Sequence, residues 1–382
     1  MNILFLVYHG FSQESGISKK IHQQVRGLRQ NGHQVHLCYY DFNKQGHRCR
    51  FVNCNIISDY GSGRLAGLFS RICYGSIYRY CRQQHVDLVY SRSFMNASPF
   101  LIHLFAKLRR RGIRCVCEIP TYPYDKEVSG YCLNDRLALL IDKLFRKRLA
   151  RQMDAIVTFA NVDTIFGQRT IKISNGVDFD ALPLHQQPSE QDSALHFIGV
   201  AEMHYWHGFD RLVAGLGEYY QRHPDGRRIY FHVVGWEDYR GMSNLGYPTI
   251  DEVTERYGIS EYIIKHGRLF GIPLNNLFDA CSFAIGSLGR HRCGIDDIKT
   301  LKNREYAARG IPFIYSENDS DFDDKPYVLK APKDESPIDI DAILQFLDNN
   351  PAPASDIRKS VEHLSWKCQM AEVLKSVVTV VL

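Results

Sequence analysis

The sequence lacks long apolar runs, and we expect neither a membrane-spanning segment nor an N-terminal leader. Spanning a bilayer takes about 18 consecutive apolar residues, and no uninterrupted apolar stretch approaches that length. The first residues, MNILFLVYHG, lack a basic segment and run directly into a strand-like apolar pattern. We therefore expect a cytoplasmic protein, either dissolved or attached peripherally to a membrane.

Cysteine is present, but it lacks the spacing of a metal or redox motif. The chain has 11 cysteines, and no two are spaced as Cys-x-x-Cys. Cys115 and Cys117 lie two apart in a predicted strand and share one face, which suits buried thiols better than a metal site. Scattered cysteines in an odd number indicate a reducing compartment.

The chain also lacks the charge excess that would indicate a nucleic-acid partner. Its formal net charge is +5, with 45% apolar and 23% charged residues, which is ordinary for a globular protein. It contains no short-period repeat and no low-complexity segment. We therefore predict a globular protein that does not bind nucleic acid.

What the sequence does contain is a regular alternation of strand and helix patterns. Short apolar runs such as NILFLVY and RCVCEIP are separated by longer helical stretches. This alternation is typical of parallel sheets that are covered by helices on both faces. We predict helices at residues 17–30, 64–84, 97–111, 133–151, 209–222, 300–309 and 354–380.

The length predicts two domains, because 382 residues exceed the size at which a single core stops growing. We predict an α/β fold with two doubly wound, Rossmann-like domains at residues 1–168 and 169–352. Residues 353–382 are predicted to be helical and to return to the first domain. In such a pair, a ligand binds in the cleft between the domains, at the carboxyl ends of the strands.

A first candidate site is the loop GFSQESGISKK, residues 10–20, between the first predicted strand and helix. Gly16 opens the helix, whose free N–H groups and dipole favour an anionic group. The loop lacks the Gly-x-Gly-x-x-Gly spacing of dinucleotide sites, which disfavours NAD. An ordinary strand–helix turn contains the same residue types, so the loop alone leaves both interpretations open.

A second candidate is the loop that joins the strand ending at Gly199 to the helix beginning near Gly208. His204 and His207 have a spacing that can bind a metal, but no third ligand accompanies them. We therefore predict that this loop lines a ligand cleft and holds no metal.

The richest candidate is the segment from residue 290 to 305. Its cations can neutralise a diphosphate, and its carboxylates can hydrogen-bond sugar hydroxyls. The alternative is a solvated helix face, on which these charges bind nothing. The charged and titratable residues in these 16 positions are Arg290, His291, Arg292, Asp296, Asp297, Lys299, Lys302, Arg304 and Glu305.

The order of these motifs resembles the retaining GT-B-fold glycosyltransferases of the family-4 type. Nearly the whole chain is covered by the resemblance, and its segments LKNREY and EIPTYPYDKE look like a polysaccharide-assembly branch. The motifs that carry it are Gly16 in the first loop, Asn175–Asp178, His207–Asp210, Asp297–Glu305 and Ala308–Pro312.

The resemblance implies a nucleotide-diphosphate sugar as donor. Glu305 is expected to hydrogen-bond the ribose, Asp297 to lie beside the donor sugar, and the following helix N-terminus to face the diphosphate. In this family the first carboxylate is usually Glu. Here Asp297 is one methylene shorter, and Asp296 competes for the assignment.

A second departure concerns the diphosphate contacts. His207 stands where the family has Lys, and Val200 stands where it often has Arg. We predict that Lys302 and Arg304 supply the missing charge, with Gly16 and His207 also at the donor nucleotide.

The remaining assignments divide between catalysis and sugar binding. Glu118, Asp297 and Lys302 are predicted to be catalytic. Contacts with the acceptor or the donor sugar are predicted for Arg92, Tyr122, Asp125, Arg290 and His291.

The predicted reaction moves the sugar with retention to a saccharide or polyprenyl-diphosphate-linked acceptor. No metal and no cofactor beyond the donor are expected, since Asp319-Ser320-Asp321 matches a metal motif only in its letters. Two alternatives stay open. One is a GT-B-fold nucleotide-sugar 2-epimerase, and the other is a catalytically silent module that binds sugar nucleotides.

Residues 133–151 predict an amphipathic helix with Leu137, Leu140, Ile141 and Leu144 on one face and basic residues at its end. Such a helix can lie on an anionic membrane surface. A helix packed into the core with a solvated basic end is the alternative.

Overall fold

The computed structural model describes residues 1–12, 15–92, 95–126, 133–186, 194–235, 246–349 and 352–378. The chain divides into two units. The first comprises Met1–Gly176 with Ser365–Leu382, and the second comprises Val177–Leu364. Each unit is an α/β fold built on its own sheet, as the alternating pattern predicts.

The first unit contains a sheet of nine strands. These are β1 (Asn2–Leu6), β2 (Gln34–Phe42), β3 (Arg48–Val52), β4 (Asn55–Asp59), β5 (Leu88–Arg92), β6 (Arg114–Ile119), β7 (Ala155–Thr158), β8 (Thr164–Ile165) and β9 (Gln168–Lys172). Their order across the sheet is β4-β3-β2-β1-β5-β6-β7-β9-β8. The central strands β2, β1, β5, β6, β7 and β9 pair in parallel. At the two edges, β3, β4 and β8 pair antiparallel with their neighbours.

Helices cover both faces of this sheet. They are α1 (Gly16–Gln30), α2 (Gly63–Ile72), α3 (Gly75–Gln83), α4 (Pro99–Arg109), α5 (Leu133–Ala150) and α12 (Trp366–Val378). The predicted single helix at 64–84 is wrong, because extended backbone at Cys73 (φ −95°, ψ 97°) separates α2 from α3. Helices α1 and α12 pack on one face, and α3, α4 and α5 pack on the other.

The first unit extends beyond the predicted boundary at residue 168. Strand β9 pairs in parallel with β7, so the TIKISNG segment belongs to the first sheet. At the other end of the chain, the predicted helix at 354–380 is two helices. Ala354–Lys359 lies in the second unit, whereas α12 packs on α1 in the first. A Cβ at Gly27 would lie 2.6 Å from the Trp366 carbonyl oxygen, so only glycine permits this close packing of α1 on α12.

The second unit contains a six-stranded parallel sheet. Its strands are β10 (Leu195–Val200), β11 (Ile229–Val234), β12 (Ile263–Gly267), β13 (Phe283–Ile285), β14 (Phe313–Tyr315) and β15 (Val328–Lys330). Its helices are α6 (Phe209–Arg222), α7 (Ile250–Tyr257), α8 (Ile272–Asp279), α9 (Leu301–Arg309), α10 (Ile340–Asn349) and α11 (Ala354–Lys359). Helix α6 has the predicted bounds.

The strand order β12-β11-β10-β13-β14-β15 determines where a ligand can bind in this unit. After β10, the chain adds β11 and then β12 on one side of β10. The next strand, β13, lies on the opposite side of β10, so the strand order reverses there. Ligands of open α/β sheets bind at such a reversal, beyond the carboxyl ends of the strands. The loops that follow β10, β13 and β14 therefore meet at one edge.

Among the described residues, no helix combines the length and the apolar character that crossing a bilayer requires.

Candidate functional site

Three loops of the second unit bring predicted site residues together. His207 follows β10, Arg290 follows β13, and Lys302 lies in the first turn of α9, which precedes β14. The charges of Arg290 and Lys302 both act on the pKa of His207, so the three side chains are neighbours. The sequence separation of these residues reaches 95 positions, and the parallel sheet brings them to one place.

Gly208 permits the close approach of the first two loops. Its φ is +64°, and a Cβ there would lie 2.6 Å from the Gly289 nitrogen. The Leu288 N–H donates to the His207 carbonyl oxygen at 2.8 Å across the same junction. Any larger residue at position 208 would push the two loops apart.

Arg292 fixes the short helix that carries Arg290. Its guanidinium donates two hydrogen bonds to the Asp210 carboxylate, at 2.9 and 2.7 Å, and one to the Tyr205 carbonyl oxygen at 2.8 Å. It also pairs with Glu335 at 2.6 Å. Because these partners lie in three separate segments, the Arg292 side chain holds the loop rigidly.

Lys302 has the position and the charge expected of an anion-binding residue. Its Nζ is buried and has no hydrogen-bond partner among the described residues. Burial and the nearby positive charge of Arg290 lower the pKa of Lys302 to about 7. The Arg290 Nε is likewise buried without a partner. Two neighbouring cationic side chains whose buried nitrogens lack hydrogen-bond partners among the described residues favour an anionic ligand, because buried polar groups are nearly always hydrogen-bonded.

Glu317 lies in the same pocket, although no motif in the sequence marks it as a site residue. It is 1% exposed, and its Oε1 accepts hydrogen bonds from the Asn303 amide at 3.3 Å and the Thr300 hydroxyl at 3.4 Å. Its Oε2 is buried without a partner among the described residues. Burial raises the pKa of Glu317, although Arg290 and Lys302 act in the opposite direction. The pocket therefore offers a proton donor or acceptor beside its cations.

His207 contributes no positive charge to the pocket. It is 7% exposed, and its Nδ1 accepts a hydrogen bond from the His204 N–H at 3.0 Å. Burial, together with the charges of Lys302 and Arg290, holds the pKa of His207 well below its usual range. With the His207 imidazole neutral, the positive charge at this place comes from Lys302 and Arg290.

The predicted nucleotide contact of Arg304 is contradicted by its position. The guanidinium is fully buried, and it donates to both carboxylate oxygens of Asp319 and to Asp321. It also donates to the Thr300 carbonyl oxygen at 3.0 Å, one turn earlier. Arg304 therefore ties α9 to the loop after β14. The carboxylates of Asp319 and Asp321, in the segment Asp319-Ser320-Asp321, are both engaged by this one guanidinium.

Glu305 is placed one turn along α9 from Lys302 and is accessible. Its carboxylate is 36% exposed, and Oε1 accepts from Arg309 at 3.1 and 3.0 Å. Asp297 is exposed, and its Oδ1 accepts from the Asn318 amide at 3.1 Å. Asp296 is exposed as well. The His291 Nε2–H donates to the Glu335 carboxylate at 2.7 Å.

In the first unit, the structure corrects the catalytic assignment of Glu118. Its side chain is fully buried, and the Tyr90 hydroxyl and the Gln24 amide donate to Oε2 at 2.5 and 2.6 Å. Arg92 and Lys20 lie 3.3 and 3.6 Å from Oε1. Burial alone would raise the pKa of Glu118, but Lys20 and Arg92 lower it. A buried carboxylate with this many partners positions the two cations and is not presented to a substrate.

Tyr122 and Asp125 contact a different part of the first unit. The Asp125 carboxylate accepts from Arg146 at 2.7 Å and pairs with Lys143 at 3.4 Å, both on α5. The Tyr122 ring packs edge-on against Phe166 at 5.9 Å. Their described contacts are thus separate from those of Glu118, whereas Arg92 pairs with Glu118 across neighbouring strands.

Gly16 opens α1, as predicted, and its surroundings are open. No atom lies within 4 Å of the position that a Cβ would occupy there. The helix is capped by the Ser15 hydroxyl, which accepts from the Ser18 N–H at 3.4 Å. A cavity of about 340 Å³ borders this first turn, and its lining residues are Phe11, Ser12, Ser18, Lys19, His22 and Gln23.

Comparison with solved structures shows likeness along the entire chain. Sucrose-phosphate synthase from Thermosynechococcus elongatus shares 12% identity at a TM-score of 0.65, covering 99% of this chain and 98% of that one. The catalytic domain of starch synthase IV from Arabidopsis thaliana, solved with ADP and acarbose, shares 11% at a TM-score of 0.59, with 99% and 98% covered. A putative UDP-N-acetylglucosamine 2-epimerase from Listeria monocytogenes shares 11% at 0.53, with 99% and 96% covered.

No protein-family model matches the chain, and no curated protein sequence matches it. Because these solved structures share only 11–12% sequence identity with the chain, their similarity shows the fold alone. The chain has the fold of the GT-B glycosyltransferases, with two Rossmann-like α/β units, and this confirms the predicted fold class.

Proposed function

We propose that the chain is a glycosyltransferase that moves a sugar, with retention, from a nucleotide-diphosphate sugar to a saccharide acceptor. The observation that carries this proposal is a pair of neighbouring cationic side chains, Lys302 at the N-terminus of α9 and Arg290 in the loop after β13. Their buried Nζ and Nε atoms have no hydrogen-bond partner within the part of the chain that the structure describes. A diphosphate supplies the anionic oxygens that both cations require, and the helix dipole adds to the attraction. The GT-B fold of the chain agrees with such a donor.

The remaining donor contacts follow from the geometry of α9. Glu305 lies one turn from Lys302 on the same side of the helix, since residues three apart are neighbours. Its exposed carboxylate suits the hydroxyls of a ribose. Asp297, which is also exposed, is assigned to the donor sugar.

In the proposed reaction, the bond between the sugar anomeric carbon and the diphosphate oxygen breaks. The acceptor hydroxyl forms its new bond on the same face of the sugar, and its proton passes to the leaving diphosphate. Negative charge grows on that diphosphate as the bond breaks. Lys302, Arg290 and the N–H groups of α9 are placed to stabilise this charge, which makes electrostatic stabilisation the largest contribution of the protein.

The first unit is assigned to the acceptor. Glu118 holds Arg92, which is 11% exposed, and Lys20 at the carboxyl ends of β5 and β6. We assign Arg92 to an acceptor or donor-sugar contact and treat Glu118 as the residue that positions it. Tyr122 and Asp125 are proposed to support the acceptor side through their contacts with Phe166 and α5.

We further propose a polyprenyl-diphosphate-linked saccharide as acceptor, in surface polysaccharide biosynthesis at the cytoplasmic face of a membrane. Four large apolar side chains of α5 support peripheral attachment, because they are exposed: Leu137 is 58%, Leu140 60%, Ile141 42% and Leu144 73% accessible. Helix α5 also packs on the core through Leu149 and Ala150, as in the alternative prediction of a core-packed helix with a solvated basic end, so the four exposed side chains are additional to its core contacts. Basic residues near its end would contact anionic lipids.

A screen of nucleotide sugars tests the proposed function directly. UDP-, GDP-, ADP- and dTDP-sugars are compared by thermal shift, and the stabilising donor is then incubated with saccharide acceptors. Binding of one donor class, followed by acceptor-dependent release of the nucleoside diphosphate, is the expected result. Stabilisation by none of them contradicts the proposal.

The likeness to the Listeria epimerase keeps a 2-epimerase as the second candidate. An epimerase converts its nucleotide sugar without any acceptor, so product analysis in the absence of acceptor distinguishes the two activities. A silent binding module would bind the donor and leave it unchanged in both experiments.

Transfer should proceed in the presence of EDTA. Within the described residues, no group of three or more His, Cys, Asp or Glu side chains is arranged to hold a metal ion. The leaving diphosphate is instead stabilised by cationic side chains. The initial rate is measured with EDTA, and with magnesium or manganese added back in excess. Loss of activity in EDTA that either metal restores would refute the metal-free mechanism.

Glu305→Gln should weaken nucleotide binding about ten- to a hundredfold. The amide keeps the size of the side chain but loses the charge-assisted hydrogen bond to the ribose, which contributes roughly 1.5–3 kcal/mol. Titration calorimetry with the preferred nucleoside diphosphate measures the change. Glu362→Gln, at an exposed position of the same unit, is the matched control and should bind like wild type. Equal affinity of both variants removes the ribose assignment.

A further inference from the structure

Helix α2 is oriented with its small residues toward the protein and its large ones toward solvent. Ala66 and Ser70 are its buried residues, at 1% and 2% exposure. Leu65, Leu68 and Phe69 are 66%, 52% and 44% exposed. This is the reverse of an ordinary surface helix, whose apolar side faces the core.

The orientation of α2 is fixed by buried contacts at its C-terminal end. The Arg50 guanidinium donates to the Ser70 carbonyl oxygen at 3.0 Å, and the Tyr40 hydroxyl donates to the same oxygen. Arg50 is 1% exposed and lies against the rings of Tyr40 and Tyr74, 4.5 and 5.0 Å from their centroids. Rotation of the helix to bury its leucines would break these contacts.

Helix α2 lies on the same face of the first sheet as α3, α4 and α5. Arg50 and Val52 are two residues apart on β3 and therefore share one face. Arg50 contacts α2, and Val52 belongs to the core that α3, α4 and α5 cover. The exposed apolar side chains of α2 and those of α5 therefore lie on the outer surface of one helix layer, formed by α2, α3, α4 and α5.

This helix layer carries charge of almost one sign. Helices α2, α3 and α4 contain no Asp or Glu. Helix α5 contains two, Asp135 and Asp142, and the Asp142 carboxylate is buried, with the Tyr124 hydroxyl donating to it at 2.5 Å. The exposed basic residues of the four helices are Arg64, Arg71, Arg79, Arg82, Lys107, Arg109, Arg136, Lys143, Lys147 and Arg148.

We propose that α2 is an interfacial helix that docks on an anionic lipid bilayer, with Leu65, Leu68 and Phe69 in the interface and Arg64 and Arg71 on lipid phosphates. Large exposed apolar side chains mark an interaction surface, and the uniformly basic helices around them match an anionic lipid surface. The inference rests on the proposed function, which places α5 on a membrane, and it adds α2 as a second, independent element.

Co-sedimentation of the full chain with vesicles tests this proposal. Phosphatidylcholine vesicles are compared with vesicles that also contain phosphatidylglycerol, at low and high salt. Three variants are compared with wild type: Leu65→Ser with Leu68→Ser on α2, Leu140→Ser with Leu144→Ser on α5, and Ile56→Ser with Ile272→Ser as the control. The control residues are 48% and 73% exposed and lie outside the helix layer.

Wild type and the control should bind the anionic vesicles, bind neutral ones weakly, and be released by salt. The α2 variant should bind the anionic vesicles at least about tenfold more weakly, because the transfer of two leucine side chains from water into the bilayer no longer contributes to binding. Donor binding should be equal in all four proteins, which separates this inference from the transferase proposal.

Three outcomes would overturn the role of α2. Full binding by the α2 variant, with loss only in the α5 variant, would leave α5 as the sole attachment. No binding by wild type would remove the membrane surface altogether, while the donor titration would still report on the transferase. The third outcome is that the protein does not bind vesicles, forms a dimer in sedimentation analysis, and loses that dimer on substitution of α2. The α2 surface would then bind a second copy of the chain.

Discussion

A Lys302→Met variant should lose about a hundredfold or more in kcat, with a smaller loss in donor affinity. The negative charge on the diphosphate grows as the bond to the sugar breaks, so a cation there stabilises the transition state more than the bound donor. Removal of one group that stabilises developing charge typically lowers kcat by about a hundred- to a thousandfold. Met keeps most of the side-chain volume and removes the charged Nζ, which lies 5.4 Å from the centroid of the Phe209 ring.

Steady-state kinetics with the preferred donor provide the measurement, and Lys359→Met is the matched control. Lys359 lies in the same unit and is exposed on α11, so this variant should behave like wild type. An unchanged kcat for Lys302→Met, with the fold intact, would remove Lys302 from the diphosphate site.

Titration of Lys302 should make donor binding depend on pH. In the protein without ligand, burial and Arg290 lower the pKa of Lys302 to about 7, so the side chain is mostly neutral at pH 8. A bound diphosphate favours the charged form and raises this pKa. Donor affinity should therefore fall as pH rises above 7, by at most about tenfold per unit. The diphosphate of the donor does not titrate in that range, because each of its phosphates carries only one hydrogen, which is strongly acidic.

Arg304→Met should lower the free energy of unfolding by roughly 3–5 kcal/mol. The guanidinium and the Asp319 carboxylate are both fully buried, and removal of one partner leaves an uncompensated charge in the interior. Urea denaturation followed by circular dichroism measures this change. Arg222→Met removes an ion pair with Asp341 that is 53% and 40% exposed, and it should change stability by less than about 1 kcal/mol.

The two arginine variants separate a structural role from a ligand-binding role. If Arg304→Met is as stable as Arg222→Met but binds donor much more weakly, Arg304 belongs to the nucleotide site and the structural assignment is wrong.

The alternation of apolar runs and helical stretches was enough to predict the fold class. Strands such as β1, β10 and β14 are buried on both faces, so their sequences are continuous apolar runs that stand out from the helices. The hairpin of β3 and β4 was missed. Its turn is made by Asn53 and Cys54 at positive φ, and no glycine or proline marks it in the sequence.

Only some residues of the candidate site could be selected from the sequence, and the reason differs from residue to residue. Arg290, Lys302 and Glu305 lie close together in sequence, and their charges mark them as a cluster. Glu317 was not selected, and Arg304 was assigned to the donor diphosphate, because the contacts of both side chains depend on the loop after β14 folding back against α9. Glu118 has the chemistry of a catalytic acid, and the sequence does not show that its carboxylate is buried between partners on α1 and β5.

Calorimetric titration of the wild-type protein with UDP, GDP, ADP and dTDP at pH 8 tests the central claim most directly. The account predicts that at least one nucleoside diphosphate binds, with uptake of protons that disappears in Lys302→Met. Proton uptake is read from the dependence of the binding heat on the ionisation enthalpy of the buffer. Absence of binding by all four, or equal binding with equal proton uptake in Lys302→Met, would contradict the assignment of this pocket to the donor diphosphate.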